Sequence, residues 1–136
     1  MARRLILDTN VLIAYERGTI DRVALDADEL AVAAVSIAEY RVGIELADSP
    51  ARAADRARAL VAITSAVDVL DYTAGTAACH ARLIAHTRRS GTPRGAHDLI
   101  IAAHALQSDR IVLTFDAKAR FSDLPGVSAS DAGTLA

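Results

Sequence analysis

Residues 5–13 read LILDTNVLI, and this stretch decides the fold of the chain. Its aliphatic start lacks polar alternation, which predicts a strand buried on both faces, as in a parallel sheet. Asp8 then interrupts the apolar run, Thr9 is placed to cap a helix over about residues 11–16, and Gly18 ends that helix. A buried strand that passes directly into a helix is typical of α/β proteins.

The same alternation continues along the rest of the chain. Further strands are predicted over residues 29–35, 66–70 and 110–115, with an edge strand near Val127. Helices are predicted over residues 19–26, 36–47 (opened by Ser36), 51–64, 73–90 and 97–107. The expected fold is an α/β/α three-layer sandwich with a central parallel sheet of four to five strands.

Composition limits the classes of protein that this chain can represent. Its 136 residues predict one domain over residues 1–136, large enough to bury a core without disulfides. The net charge of −2 does not predict nucleic-acid binding, so any such binding needs a local site. Cys79 is the only cysteine, which favours a reducing compartment. No apolar stretch approaches the roughly 18 residues of a membrane span, and we expect a cytoplasmic protein without membrane contact.

Four acidic residues lie at junctions between the predicted elements. Asp8 and Asp116 end strands, whereas Glu39 and Asp98 fall in the first turns of helices. Because the carboxyl ends of parallel strands share one edge of a sheet, these side chains are expected to meet there.

Each acid also has a local explanation. Ser36 and Glu39 have the spacing of a capping box, Asp98 and Asp116 suit the positive ends of helices, and Asp8 can be a polar strand terminus. Together, however, carboxylates about 4 Å apart repel by roughly 4 kcal/mol at an effective dielectric of 20. With no adjacent lysine or arginine, a hard divalent cation such as Mg²⁺ or Mn²⁺ is the expected compensation. Such a site favours phosphodiester hydrolysis by an activated water.

Four blocks of the sequence resemble the motifs of PIN domains. Besides LILDTNVLI, they are SIAEYRVG at residues 36–43, HDLIIAA at 97–103 and TFD at 114–116. Their order and their spread over nearly the whole chain strengthen the match. The length resembles that of single-domain VapC-type toxins, the nuclease halves of bacterial toxin–antitoxin pairs.

The resemblance implies an endoribonuclease that depends on Mg²⁺ or Mn²⁺. It identifies Asp8, Glu39, Asp98 and Asp116 as the acidic metal site. Our hypothesis for their roles is that Asp8 and Asp98 are the principal metal ligands, that Asp116 binds the metal directly or through water, and that Glu39 orients or deprotonates the attacking water. It also implies supporting roles for Asn10 and Thr114, a homodimer, and a cognate antitoxin that covers the active site.

The chain departs from the family after Asp116. Many relatives place a further polar or acidic residue a few positions later, but Ala117, Lys118 and Ala119 follow here. This departure predicts that a second metal site is weak or absent.

Basic residues and histidines near the third block can be explained either by a structural or by a functional role. Arg88, Arg89 and Arg94 precede Asp98 and form either a solvated helix end or a clamp for the RNA backbone. His97 and His104 lie seven residues apart, a spacing that favours packing on one helix face over metal binding.

Three other functions are compatible with parts of the pattern. An aspartyl-phosphate phosphohydrolase would use Asp8 as nucleophile, but it usually needs a second aspartate where Asn10 stands. A non-catalytic binding module would use the pocket for a partner's basic residue, although the full set of four acids argues against it. A PIN-type nuclease of RNA processing would share the chemistry and differ only in its biological role.

Overall fold

The computed structural model describes residues 2–135, which form a parallel sheet between two layers of helices. The strands are β1 (Arg4–Leu7), β2 (Glu29–Ala33), β3 (Asp68–Leu70), β4 (Ile111–Thr114) and β5 (Ser128–Asp131). The helices are α1 (Thr9–Arg17), α2 (Ala34–Glu45), α3 (Pro50–Ala66), α4 (Ala74–Ser90) and α5 (Ala96–Ser108). The predicted α/β class and three layers are confirmed, and the sheet has five strands.

The strand order of the sheet is β3-β2-β1-β4-β5, and every neighbouring pair is parallel. Strand β1 is central, with Leu5 beside Leu30 of β2 and Ile111 of β4. The order reverses between β1 and β4, and parallel sheets bind ligands at the carboxyl ends of strands that flank such a switch. Asp8 follows β1 and Thr114 ends β4, so both lie at this point.

Alternate residues of the central strands pack into two hydrophobic cores on opposite faces of the sheet. Leu5 and Leu7 pack with α1, α2 and α3 on one face, and Ile6 packs with α4 and α5 on the other. All three side chains are fully buried. This two-sided burial explains why the strand reads as an unbroken aliphatic run.

The start of α1 differs from the predicted one. Asp8, rather than Thr9, caps the helix by accepting a hydrogen bond from the Thr9 amide. The helix ends at Gly18, whose φ of 71° places it in the left-handed region that suits glycine. Asp8 therefore combines a structural role with its place at the switch point.

The predicted short helix over residues 19–26 is wrong. Only a 3-10 turn forms there, Arg22–Leu25, capped by the Asp21 side chain. Ile20 and Leu25 are both buried at the ends of this segment. Both side chains pack into the core and anchor the segment at its two ends.

Helix α2 begins at Ala34, two residues before the predicted start at Ser36. Ala33 is its N-cap and provides no side-chain hydrogen bond. Ser36 is fully buried inside the helix, so the capping box that offered a local explanation for Glu39 does not form. The strand passes into the helix without a loop, which leaves Glu39 in the second turn rather than the first.

Within residues 2–135, no helix has the length and apolar character that a membrane crossing requires.

Candidate metal centre at the carboxyl edge of the sheet

The four predicted acids line one cleft of about 300 Å³ at the carboxyl ends of β1 and β4. Two strand ends and two helices supply them. The lining residues are Asp8, Thr9, Asn10, Ile13, Glu39, His97, Asp98 and Asp116.

Asp8 is the most firmly held of the four acids. Its side chain accepts hydrogen bonds from the Thr114 hydroxyl (2.8 Å) and the Thr9 amide (2.8 Å). Its own amide donates to the Leu113 carbonyl of β4 at 3.0 Å. Only 6% of the residue is exposed. Burial raises the pKa of Asp8, the two hydrogen bonds oppose that rise, and the charges of Glu39 and Asp116 add to it.

Thr114 and Asn10 connect the acids to the backbone around them. The Thr114 hydroxyl donates to Asp8 and accepts from the Asp116 amide at 2.9 Å. The Asn10 side-chain oxygen accepts from the Phe115 amide at 3.4 Å. These contacts fix the spacing between the end of β4 and the start of α1, and therefore the spacing between Asp8 and Asp116.

Asp116 is exposed at the rim of the cleft. One carboxylate oxygen accepts from the Lys118 amide at 2.9 Å and caps the 3-10 turn Ala117–Ala119. Its predicted role in starting a short turn is confirmed, and this role is compatible with ligand binding because it engages only one oxygen.

Asp98 lies in the first turn of α5, half-buried beside Gly95. A side chain at position 95 would place its Cβ 3.3 Å from Asp98 Oδ2, so glycine leaves room for the carboxylate. Burial raises the pKa of Asp98, as do the charges of the other three acids, and His97 partly offsets them. The pocket thus disfavours the ionised forms of Asp8 and Asp98, the two acids that face its interior.

Glu39 is held by two side chains that the sequence pattern did not indicate. Its Oε1 accepts from the Thr9 hydroxyl at 3.1 Å and lies 3.0 Å from His97 Nδ1. The Thr9 hydroxyl also lies 3.0 Å from Ser36 Oγ. The first three sequence blocks therefore meet through polar contacts among Thr9, Glu39 and His97. No capping box forms between Ser36 and Glu39.

His97 and His104, seven residues apart on α5, lie in different environments, although their spacing favoured packing for both. His97 is exposed at the pocket and contacts Glu39, whereas His104 is buried near the Tyr72 ring. Burial lowers the pKa of His104. The sequence feature that could have identified His97 as a site residue is its position beside Asp98 in the first turn of α5.

The charge balance of the cleft fits a hard cation. Across residues 2–135, neither Asp8, Asp98 nor Asp116 has a salt bridge to lysine or arginine. The atoms that these three residues offer to a metal are all carboxylate oxygens, which Mg²⁺ and Mn²⁺ prefer. Within residues 2–135, no group of three histidine, cysteine or acidic side chains is arranged closely enough to hold a metal ion.

The three arginines proposed as a clamp occupy different environments. Arg88 and Arg89 are exposed in the last turn of α4, where cations suit the helix dipole. The Arg94 guanidinium donates to the backbone carbonyls of Ala119 and Arg120. Arg94 thus ties the loop before α5 to the turns that follow Asp116.

Known proteins resemble this chain in both sequence and structure. The PIN domain family model matches residues 5–127. The tRNA(fMet)-specific endonuclease VapC of Shigella flexneri is 27% identical over 94% of this chain and 97% of its own length. Ribonuclease VapC5 of Mycobacterium tuberculosis is 37% identical over 82% of each chain. Among solved structures, VapBC-5 of Mycobacterium tuberculosis, a member of the VapBC family of toxin–antitoxin systems, superposes with a TM-score of 0.72 at 30% identity, covering 94% of this chain and 96% of that one.

Proposed function

Because this chain belongs to the PIN domain family, we propose that it is a metal-dependent endoribonuclease and the toxin of a VapBC-type pair. The observation that carries the proposal is the meeting of four carboxylates in one cleft, none of them in a salt bridge with a lysine or arginine of the described chain. The names of the similar ribonucleases support RNA as the substrate.

In this proposal Asp8, Asp98 and Asp116 hold Mg²⁺ or Mn²⁺ through carboxylate oxygens. An open cleft suits a cation that keeps several water ligands. When bound, the metal supplies an acidified water and charge stabilisation at the phosphodiester. Asp8 is pre-positioned for this role by Thr114 and Thr9, which hold its two oxygens in fixed directions.

Glu39 is proposed to orient or deprotonate the attacking water. Thr9 and His97 both contact Oε1, which leaves Oε2 to accept a proton from a water in the cleft. A general base must lie within hydrogen-bond reach of the proton that it removes. Glu39 lines the same cleft as Asp8 and Asp98, where such a water would lie.

The partners follow from the family. A cognate antitoxin is proposed because a similar solved structure belongs to a toxin–antitoxin system, and a homodimer is proposed on the family resemblance alone. A one-domain organisation and a cytoplasmic location stay predictions from length and from the single cysteine.

RNA cleavage by the purified protein tests the proposal. We expect cleavage in Mg²⁺ or Mn²⁺ and none in EDTA. Asp8→Asn and Asp98→Asn should each lower the rate roughly a thousandfold or more, equivalent to about 4 kcal/mol of transition-state stabilisation. Asp55→Asn is the matched control, since Asp55 is an exposed acid on α3 paired with Arg58. Full activity of either site variant would defeat the assignment.

Expression in cells separates the toxin from an RNA-processing nuclease or a binding module. A toxin should arrest growth, and co-expression of the protein encoded by the neighbouring reading frame should reverse the arrest. Arrest that persists unchanged with Asp98→Asn would exclude catalysis as its cause.

A further inference from the structure

A second cleft of about 250 Å³ adjoins the metal centre on the far side of Asp116. We call it the side cleft. Asp116 lines both clefts, so the two lie side by side. The walls of the side cleft come from the end of β4, the turns after it and β5. Its charged lining residues are Asp116, Arg120 and Asp131, and the others that matter here are Phe121, Ser122 and Ser130.

Arg120 gives the side cleft a cation beside an otherwise acidic site. Its one salt bridge in residues 2–135 is to Asp123, at 3.7 Å, with both side chains more than half exposed. Exposed pairs of this kind contribute little free energy. The guanidinium is therefore available to a stronger anionic ligand at little cost.

The backbone fixes the position of Arg120. Its φ of 45° lies in the left-handed region, which is uncommon for a residue with a side chain. Arg94 donates to the carbonyls of Ala119 and Arg120, the latter at 2.8 Å. Arg94 belongs to the loop that leads into α5 and Asp98, so the same loop positions Arg120 and one of the acids.

The chemistry of the side cleft suits one nucleotide of a single strand. A guanidinium binds a phosphate through two parallel hydrogen bonds. The hydroxyls of Ser122 and Ser130 offer neutral donors and acceptors, and the buried Phe121 ring forms an apolar floor. An acidic centre also repels the phosphates on either side of the cleaved bond, which makes a neighbouring cation useful.

We propose that the side cleft binds the nucleotide next to the cleaved phosphodiester and that Arg120 contacts its phosphate. This inference rests on the proposed ribonuclease function and adds a direction in which the RNA strand leaves the metal centre. Arg120 acts as a binding residue and takes no part in proton transfer.

Steady-state cleavage of a single-stranded RNA oligonucleotide in Mg²⁺ tests the side cleft. Arg120→Gln should raise KM about tenfold, as expected for a lost charge-assisted hydrogen bond, with kcat changed less than twofold. Arg120→Lys should recover part of the loss. Arg58→Gln is the matched control, because Arg58 forms a similar exposed pair with an aspartate three residues away. It should leave KM unchanged.

Two further measurements separate RNA binding from a structural role. Arg120→Gly relieves the left-handed backbone, so it should retain thermal stability while KM rises as in Arg120→Gln. Binding of the same oligonucleotide in EDTA should lose about 0.7 from the slope of log affinity against log salt when Arg120 is neutralised, as for one lost phosphate contact in a single strand.

The outcomes distinguish the side cleft from the metal centre. Cleavage that needs Asp98, with KM and salt slope unchanged in Arg120→Gln, overturns the side cleft alone. Arg120-dependent RNA binding in EDTA with no cleavage in Mg²⁺ supports the side cleft and overturns the nuclease. Loss of binding to a partner protein, with RNA binding intact, would assign Arg120 to a protein interface and overturn the inference.

Discussion

The two edges of the sheet differ in whether their charged side chains form ion pairs. At the amino edge, acids and arginines are paired: Arg3 with Asp28 at 2.8 Å, Arg4 with Glu29 at 3.4 Å and Arg110 with Asp68 at 3.7 Å. At the carboxyl edge, Asp8, Asp98 and Asp116 lie together without such partners in the described chain. Both edges belong to the same strands, so the strands themselves do not cause the difference.

Arg110 shows how the amino edge is built. It is 7% exposed, and its Nη1 donates to the carbonyls of Leu5 (3.2 Å) and Glu29 (3.4 Å). Burial lowers the pKa of Arg110, yet a guanidinium remains charged. The cation thereby satisfies backbone oxygens where the strands begin, which is a structural use of charge.

The carboxyl edge has the opposite character, because burial and the neighbouring carboxylates raise the pKa of Asp8 and of Asp98 and so disfavour their charged forms. Functional sites often retain strain or repulsion that the rest of the molecule offsets. The comparison suggests that the amino edge stabilises the sheet and that the carboxyl edge keeps its charge for a cation. Each prediction below tests one side of this contrast.

The largest effect on stability is expected at Arg110. Arg110→Ala should lower the free energy of unfolding by about 3 kcal/mol, since it leaves the Leu5 and Glu29 carbonyls without their donor and removes the packing of the Arg110 stem. Arg110→Met should cost less, because it keeps most of the volume. Denaturant titration in EDTA measures both. A loss below about 1 kcal/mol for Arg110→Ala would show that this edge is not a stabilising element.

At the carboxyl edge, neutralising an acid should have the opposite sign. In EDTA, Asp98→Asn should raise the free energy of unfolding by about 1 kcal/mol, because it removes a half-buried charge near three others. Partial exposure screens the repulsion and keeps the gain small. The same denaturant titration measures it. A destabilised variant would contradict the claim that this charge is uncompensated.

The smallest effect expected is the loss of an amino-edge pair, and its pH dependence distinguishes the edges. Arg3 holds the pKa of Asp28 below 3.8. The pair therefore stabilises the fold above pH 3.8, and this contribution is lost as pH falls through the lower folded value. Asp28→Asn should cost about 0.5 kcal/mol at neutral pH, and less on acidification.

Asp98 should show the reverse dependence. Its pKa is raised above 3.8, so its ionisation penalises the fold above that raised value and the penalty disappears below pH 3.8. The gain from Asp98→Asn should therefore also fade in acid. Comparing each variant with the unaltered protein across pH tests both signs. Curves of the same sign for the two variants would contradict the contrast.

The sequence predicted the shared edge because that inference needs only strand direction. Asp8 and Asp116 directly follow aliphatic runs, and parallel strands bring such positions together. The start of α2 was missed because a capping-box pattern at Ser36 also fits a residue buried inside a helix that begins earlier. Local spacing does not reveal which environment applies.

The sequence could not predict the contacts between distant segments, because local spacing does not show which segments pack together. His97 meets Glu39 across two helices, and Arg94 reaches the carbonyls of Ala119 and Arg120. Neither contact leaves a periodic or spacing signal. Only the packed arrangement of α2, α5 and the turns after β4 brings these groups together.

Thermal unfolding with and without Mn²⁺ tests the central claim most directly, namely that a cation compensates the carboxyl edge. In EDTA, Asp98→Asn should have the higher Tm. In excess Mn²⁺, the unaltered protein should gain stability, about 2.7 kcal/mol at a hundred times its Kd, and become the more stable of the two. Equal shifts for both proteins, or no shift in the unaltered one, would contradict the account.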